Sequence, residues 1–258
     1  MDDQLTTIDN NSGAGGSEGR TSWTAKPELQ DYVSFYGFML QYLRRLKHAL
    51  ADKQQGLSPE RSPPSGGDDG IRLILGGYSF GSLITSHAPG LDVILDLFRS
   101  NTASPSQSVD QIGSVAREIA SASLRRLGPE NPDLGTADDS RPRAPPSISI
   151  CYLLVSPLLP PVSQFLTAFS NLSLNVGVEG SAQAQHGDQL STHSTLALYG
   201  DQDTFTSARK LQRWSAEMAR VPQSRFQSCE VAGAGHFWRE DGVEARARQR
   251  LREWLQQL

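Results

Sequence analysis

The stretch "LILGGYSFGSLI", Leu73 to Ile84, decides how the rest of the chain reads. An apolar run ends in two glycines. A serine follows between two aromatic residues, and after one more glycine the chain turns apolar again. A short apolar run bounded by glycine reads as a buried strand, here 71–77. "SLITSHA" then reads as the start of a helix. Ser79 therefore falls on a tight strand-to-helix turn.

Gly77-Tyr78-Ser79-Phe80-Gly81 fits G-x-S-x-G. Such a match arises by chance in chains rich in glycine and serine, so its context carries the weight. A serine on this turn has strained backbone torsions. Gly77 and Gly81 are expected to let strand and helix pass without side-chain collision. The hydroxyl then projects where amide donors favour developing negative charge. A serine alkoxide is inaccessible at neutral pH, so a base must take the proton.

The chain has five histidines. His48 lies at the basic end of a helix, His87 lies in the helix after Ser79, and His186 and His193 lie in polar loop. His236, in "VAGAGHFWRE", follows the last strand expected in the chain through a glycine-rich turn. Strand ends are where a parallel sheet gathers its reactive loops. A carboxylate should orient that histidine. "LALYGDQDTF" offers Asp201 and Asp203 just past a strand. Asp203 is preferred, because Asp201 adjoins Gly200 and suits a turn or helix cap. The order Ser79, Asp203, His236 is nucleophile, acid, base.

Outward from these residues, strands alternate with helices, which predicts an α/β fold with a parallel sheet covered on both faces. "KPELQDYVSFYGFMLQYLRRLKHALADK" predicts a helix with Leu29, Val33, Tyr36, Leu40, Leu43 and Leu50 on its core face. "DVILDLF", 92–98, has no firm assignment. A helix follows with Val109, Ile112, Val115, Ile119 and Leu124 at helical spacing. Strands are expected at 147–155, 194–199 and 225–231, with a helix at "SARKLQRWSAEMARV". The closing helix carries Val243, Ala247, Leu251 and Leu255 on one face. "VSQFLTAFSNLSL" suits a short helix, and the chain beyond it to about 193 reads as polar loop. Residues 1–20 form a polar N-terminal segment and 21–258 one domain, with polar linkers at about 54–70 and 100–147.

Composition narrows the partners. The net charge of the 258-residue chain is −4, and 37% of it is hydrophobic. That charge suggests neither a nucleic-acid partner nor a polybasic membrane surface. No window approaches the roughly 18–20 apolar residues of a spanning helix. The N-terminus is acidic and polar, unlike a secretory signal. Cys151 and Cys229 are too few for a disulfide framework and read as buried thiols. Together these features predict a cytoplasmic setting. The Asn171-Leu172-Ser173 sequon then has no secretory route to serve. No histidine or cysteine pair has zinc spacing, and no phosphate loop or dinucleotide fingerprint is complete. No cofactor or metal is expected. Tyr32, Phe35, Tyr36 and Phe38 read as core rather than as a ligand box.

The chain resembles the α/β-hydrolase superfamily, in particular small dienelactone hydrolase-like and serine aminopeptidase-like members. The pieces that carry the likeness are "GGYSFGS", "SPLL", "YGDQDTF", "GAGHFW" and the tryptophan-bearing closing helix. The resemblance implies Ser79 as nucleophile, Asp203 as acid and His236 as base. It also implies the backbone N–H of Phe80 as an oxyanion donor, no cofactor, and a small ester or amide substrate. The departure is at the front. "NSGAGGSEGRTSW" looks like a turn after the family's fourth strand, with Ser12 where an arginine usually stands. The strands and loop that would supply a second oxyanion donor are expected to be missing. Losing one such donor typically costs about 2.7–4 kcal/mol of transition-state stabilisation. An open sheet edge would result, a site for self-association. The competing expectation is therefore a catalytically impaired hydrolase-like protein or fragment with a non-enzymatic role.

Overall fold

The computed structural model describes residues 24–57, 70–99, 107–127, 146–166 and 186–258. Their elements, in chain order, are α1 (Lys26–Leu57), β1 (Ile71–Tyr78), α2 (Phe80–Ser86), α3 (Leu91–Arg99), α4 (Gln107–Leu127), β2 (Ile148–Val155), α5 (Val162–Leu166), α6 (His186–Thr192), β3 (Ser194–Gln202), α7 (Ala208–Arg220), β4 (Phe226–Gly235) and α8 (Val243–Leu255). The strands form one parallel sheet in the order β1-β2-β3-β4, the α/β class that the alternating pattern predicts. The N-terminal turn containing Ser12, the Asn171 sequon and most of both linkers lie outside the described residues. No helix among the described residues is long and apolar enough to cross a membrane.

The chain divides into two compact units. One takes in the described residues up to Val33, Ile74–Val93 and Ile150–Leu258; the other takes in Ser34–Leu73 and Ile94–Ser149. The first unit carries the sheet core. Side chains alternate along a strand, so each face of β3 collects every second residue. Leu196 and Leu198 face Trp254 of α8, with Cys151 of β2 and the partly buried Cys229 beside them. On the other face β3 presents the buried Ala197 and Tyr199, and α7 buries Leu211 and Ser215. Phe226 meets Trp214 of α7 edge-on, ring centroids 5.1 Å apart. α8 thus buries Val243 and Trp254, while Leu255, expected on the core face, is exposed.

In the second unit α1 and α4 join through the Tyr42 hydroxyl, which donates to Ser123 Oγ at 3.2 Å. Gly37 leaves room for the Phe98 ring. The buried stripe of α4 is Ala116, Ala120 and Leu124. Ile119, assigned to that stripe from spacing, is exposed. Leu50 of α1 is exposed as well. Its 3.5-residue spacing from Leu29 falls behind the helix by about 20° per heptad, some 60° over three heptads. Phe35 is also exposed, stacked on the buried Phe38.

Two strand readings change. β1 is not buried throughout: Ile71 and Leu75 are covered, while Arg72, Ile74, Gly76 and Tyr78 are exposed. Among the described residues β1 is the end strand of the sheet. β4 runs on through "VAGAG" to Gly235, where the sequence suggested a turn. Its register explains this. Gly200 pairs with Val231 but Gln202 pairs with Gly235, so β4 spends two more residues than β3 over the same span. This is a bulge in β4, and Gly233 within it has φ +75°.

Gly200 is where the bulge presses in, for a Cβ there would overlap the Ala234 backbone carbonyl. Gly200→Ala is expected to lower unfolding free energy by about 1–3 kcal/mol. Denaturant titration checks this, and unchanged stability would contradict the close approach.

Candidate active site

Ser79 follows β1 and precedes α2 with no spacer. Its torsions are φ 53° and ψ −116°. A positive φ in a non-glycine residue costs on the order of 1–3 kcal/mol and persists only where the surroundings enforce it. Here the Ser79 N–H donates to Val155 O at the end of β2, at 2.8 Å. Its carbonyl accepts from Ser82 Oγ at 2.6 Å and Ser82 N at 3.0 Å. Phe80 N–H is the first amide of α2 and has no intrahelical carbonyl to bond.

The flanking glycines have unequal roles. A Cβ on Gly77 would overlap the backbone of Gly81 and Ser82, whereas a Cβ on Gly81 would meet nothing. The elbow needs glycine on the strand side alone. On the helix side it needs only backbone at close range.

The structure brings Ser79, Asp203 and His236 together. His236 Nε2 lies 2.8 Å from Ser79 Oγ, and His236 Nδ1 lies 2.8 Å from Asp203 Oδ2. A carboxylate only accepts, which assigns the imidazole proton to Nδ1 and leaves Nε2 to accept from the serine hydroxyl. Asp203 Oδ1 takes the N–H groups of Phe205 at 2.8 Å and Thr206 at 3.0 Å. Both carboxylate oxygens are thus occupied, and Asp203 and His236 are buried.

Asp201 does not cap a turn. It lies within β3, and its Oδ1 accepts the N–H of Gly233 at 2.7 Å, pinning the β4 bulge. The two aspartates divide the work: Asp201 fixes the strand that delivers His236, and Asp203 holds the imidazole. The remaining histidines lie elsewhere. His48 is on α1 and His186 opens α6. His87 follows α2, with Nδ1 2.8 Å from Leu83 O. His193 follows α6, and burial together with the nearby Arg225 charge lowers its pKa.

Sequence reasoning missed the groups that hold the His236 main chain. The His236 carbonyl accepts from Tyr78 Oη at 3.0 Å and from Ser156 Oγ at 3.3 Å. Trp238 Nε1 donates to Ser156 Oγ at 2.9 Å. Partial burial, and then the Asp203 charge, push the Tyr78 phenol upward in pKa, with Arg239 acting against them, so it stays an O–H donor at neutral pH. Ser156 follows β2 in "SPLL", with φ 48°. Backbone N–H donors, foremost that of Gly235, lower the pKa of Glu240 and close the turn after β4. The fragments "YSFG", "SPLL" and "HFW" contain the residues concerned, but nothing in their spacing says that they meet.

The thiols differ from one another: Cys151 is buried, while Cys229 is only partly so, with Arg250 Nε 3.3 Å from its sulfur. Residues 1–20, where a second oxyanion donor would be sought, lie outside the described residues. Compared with protein-family models, with curated proteins and with solved structures, the chain finds no match.

The unequal glycines are open to direct comparison. Gly77→Ala is expected to lose about 1–3 kcal/mol of stability through overpacking. Gly81→Ala should hold its stability or gain up to about 1 kcal/mol, since alanine suits a helix better than glycine. Equal losses in the two variants, read by thermal denaturation, would contradict the geometry.

Proposed function

We propose that this protein is a serine hydrolase of the α/β-hydrolase type, cleaving an ester or amide bond through an acyl-enzyme intermediate. One observation carries the reading: a single buried imidazole bridges Ser79 Oγ and Asp203 Oδ2 at 2.8 Å on each side. The strained serine torsions and the parallel sheet agree with it. A serine that merely ended a strand would have no reason for a positive φ, nor for a histidine aimed at its hydroxyl by a buried carboxylate.

The chemistry follows from the contacts. Ser79 Oγ attacks the substrate carbonyl carbon while His236 Nε2 takes its proton. The carbonyl π electrons move onto oxygen, and Phe80 N–H donates to that oxygen. Asp203 accepts from Nδ1–H and stabilises the imidazolium. Collapse of the tetrahedral intermediate breaks the bond to the alcohol or amine, which leaves with the proton from Nε2. Water then attacks the acyl-enzyme, giving its proton to His236, and collapse frees the acid and restores Ser79. Tyr78, Ser156 and Trp238 act on the imidazole through its main chain and are positioning residues.

A fluorophosphonate probe tests the proposal. The expected result is one label per chain, on the peptide containing Ser79, and none in Ser79→Ala. Asp203→Asn should slow hydrolysis of an activated ester by roughly 10³–10⁴-fold, because the imidazole loses its tautomer and orientation. An unlabelled protein, or Ser79→Ala labelled equally, would contradict catalysis and leave a non-enzymatic role for a hydrolase-like chain.

A further inference from the structure

We infer that Tyr78, Phe205 and Phe237 form an apolar collar that selects substrates with an alkyl or aryl group beside the scissile carbonyl; this rests on the serine-hydrolase reading. The observation is a clustering of exposed aromatic rings around the imidazole. Tyr78 is 44%, Phe205 45% and Phe237 57% exposed, while His236 itself is 3% exposed. Their ring centroids lie 5.6, 4.3 and 5.2 Å from that of His236, respectively.

Single exposed aromatics are ordinary on a protein surface. Three that converge on one reactive imidazole are not explained by chance exposure, and each is tied to a triad member. Tyr78 immediately precedes Ser79, and Phe237 immediately follows His236. Phe205 is fixed by its own N–H, which donates to Asp203 Oδ1. The main-chain position of each is thus set by the residue that it adjoins or bonds.

The rings also define what they can accept. Phe237 stands at 87° to the imidazole and 89° to Phe205, making a corner with apolar walls. The Arg239 guanidinium lies 5.4 Å from the Phe237 ring centroid, an arrangement that braces this ring. The Tyr78 hydroxyl already donates to His236 O. The collar thus offers surface to cover and little polar capacity to satisfy. A hydroxylated or cationic substituent would lose water there for little return, whereas an alkyl chain or ring would gain by burial.

Two ester series test the inference with the full chain. One varies the acyl side as p-nitrophenyl acetate, butyrate and hexanoate; the other varies the alcohol side as ethyl and benzyl acetate. The expected result is a rise in kcat/KM of about tenfold or more along at least one series. The series that responds says which side of the carbonyl the collar faces. In Phe237→Ala the ratio of large to small substrate should fall to about one-third or less of its original value. A ratio is unaffected by the fraction of protein that is folded. Ser79-dependent turnover with flat ratios in both series, or Phe237→Ala keeping the ratio, would overturn the collar and leave the hydrolase reading standing. Absence of Ser79-dependent fluorophosphonate labelling would overturn the hydrolase reading, and the collar with it.

Discussion

The His236 imidazole is held from two sides, by Asp203 at Nδ1 and by Ser79 at Nε2, and both separations are 2.8 Å. Each partner comes from the C-terminal end of a different strand, so the constraint is one of sheet register. β1 ends at Tyr78, β3 at Gln202 and β4 at Gly235, each immediately before a triad residue. Only if β4 gains two residues on β3 does Gly235 come opposite Gln202. Gly200, Gly233 and Asp201 each serve that gain: one yields space, one turns the backbone and one pins it.

Much of this was legible in the chain itself. The apolar run before Gly76, the serine on its turn and the later aspartate and histidine at strand ends could be read from type and spacing. Preferring Asp203 to Asp201 agrees with the observed contacts, although the role assigned to Asp201 does not. What could not be read depends on contacts distant in sequence. Nothing in "VAGAG" says that strand pairing continues through it, because the Asp201 carboxylate that stabilises the bulge lies 32 residues away. The dispensable Cβ space at Gly81 depends on where neighbouring backbone runs. The carbonyl clamp on His236 joins Tyr78, Ser156 and Trp238 across three segments.

Exposure was the other blind spot. Apolar spacing placed Leu50, Ile119 and Leu255 on core faces, and all three are exposed. In two of the helices smaller or neighbouring residues are buried instead: Ala116 and Ala120 in α4, Trp254 in α8. Periodicity reports which side of a helix is apolar, but packing distance decides which of those residues are covered. The same limit hid the aromatic rings around His236. Phe205 and Phe237 look like ordinary strand-end hydrophobes until the imidazole is seen beside both.

The central claim is that this geometry makes Ser79 a nucleophile, and trapping the acyl group measures that most directly. The protein would be mixed with p-nitrophenyl acetate, quenched in acid within the first turnover, digested and mapped by mass spectrometry. One acetyl group per chain is expected, on Ser79, with p-nitrophenol released in equal amount. Acetyl on other side chains alone, or product formed with Ser79 never modified, would contradict it.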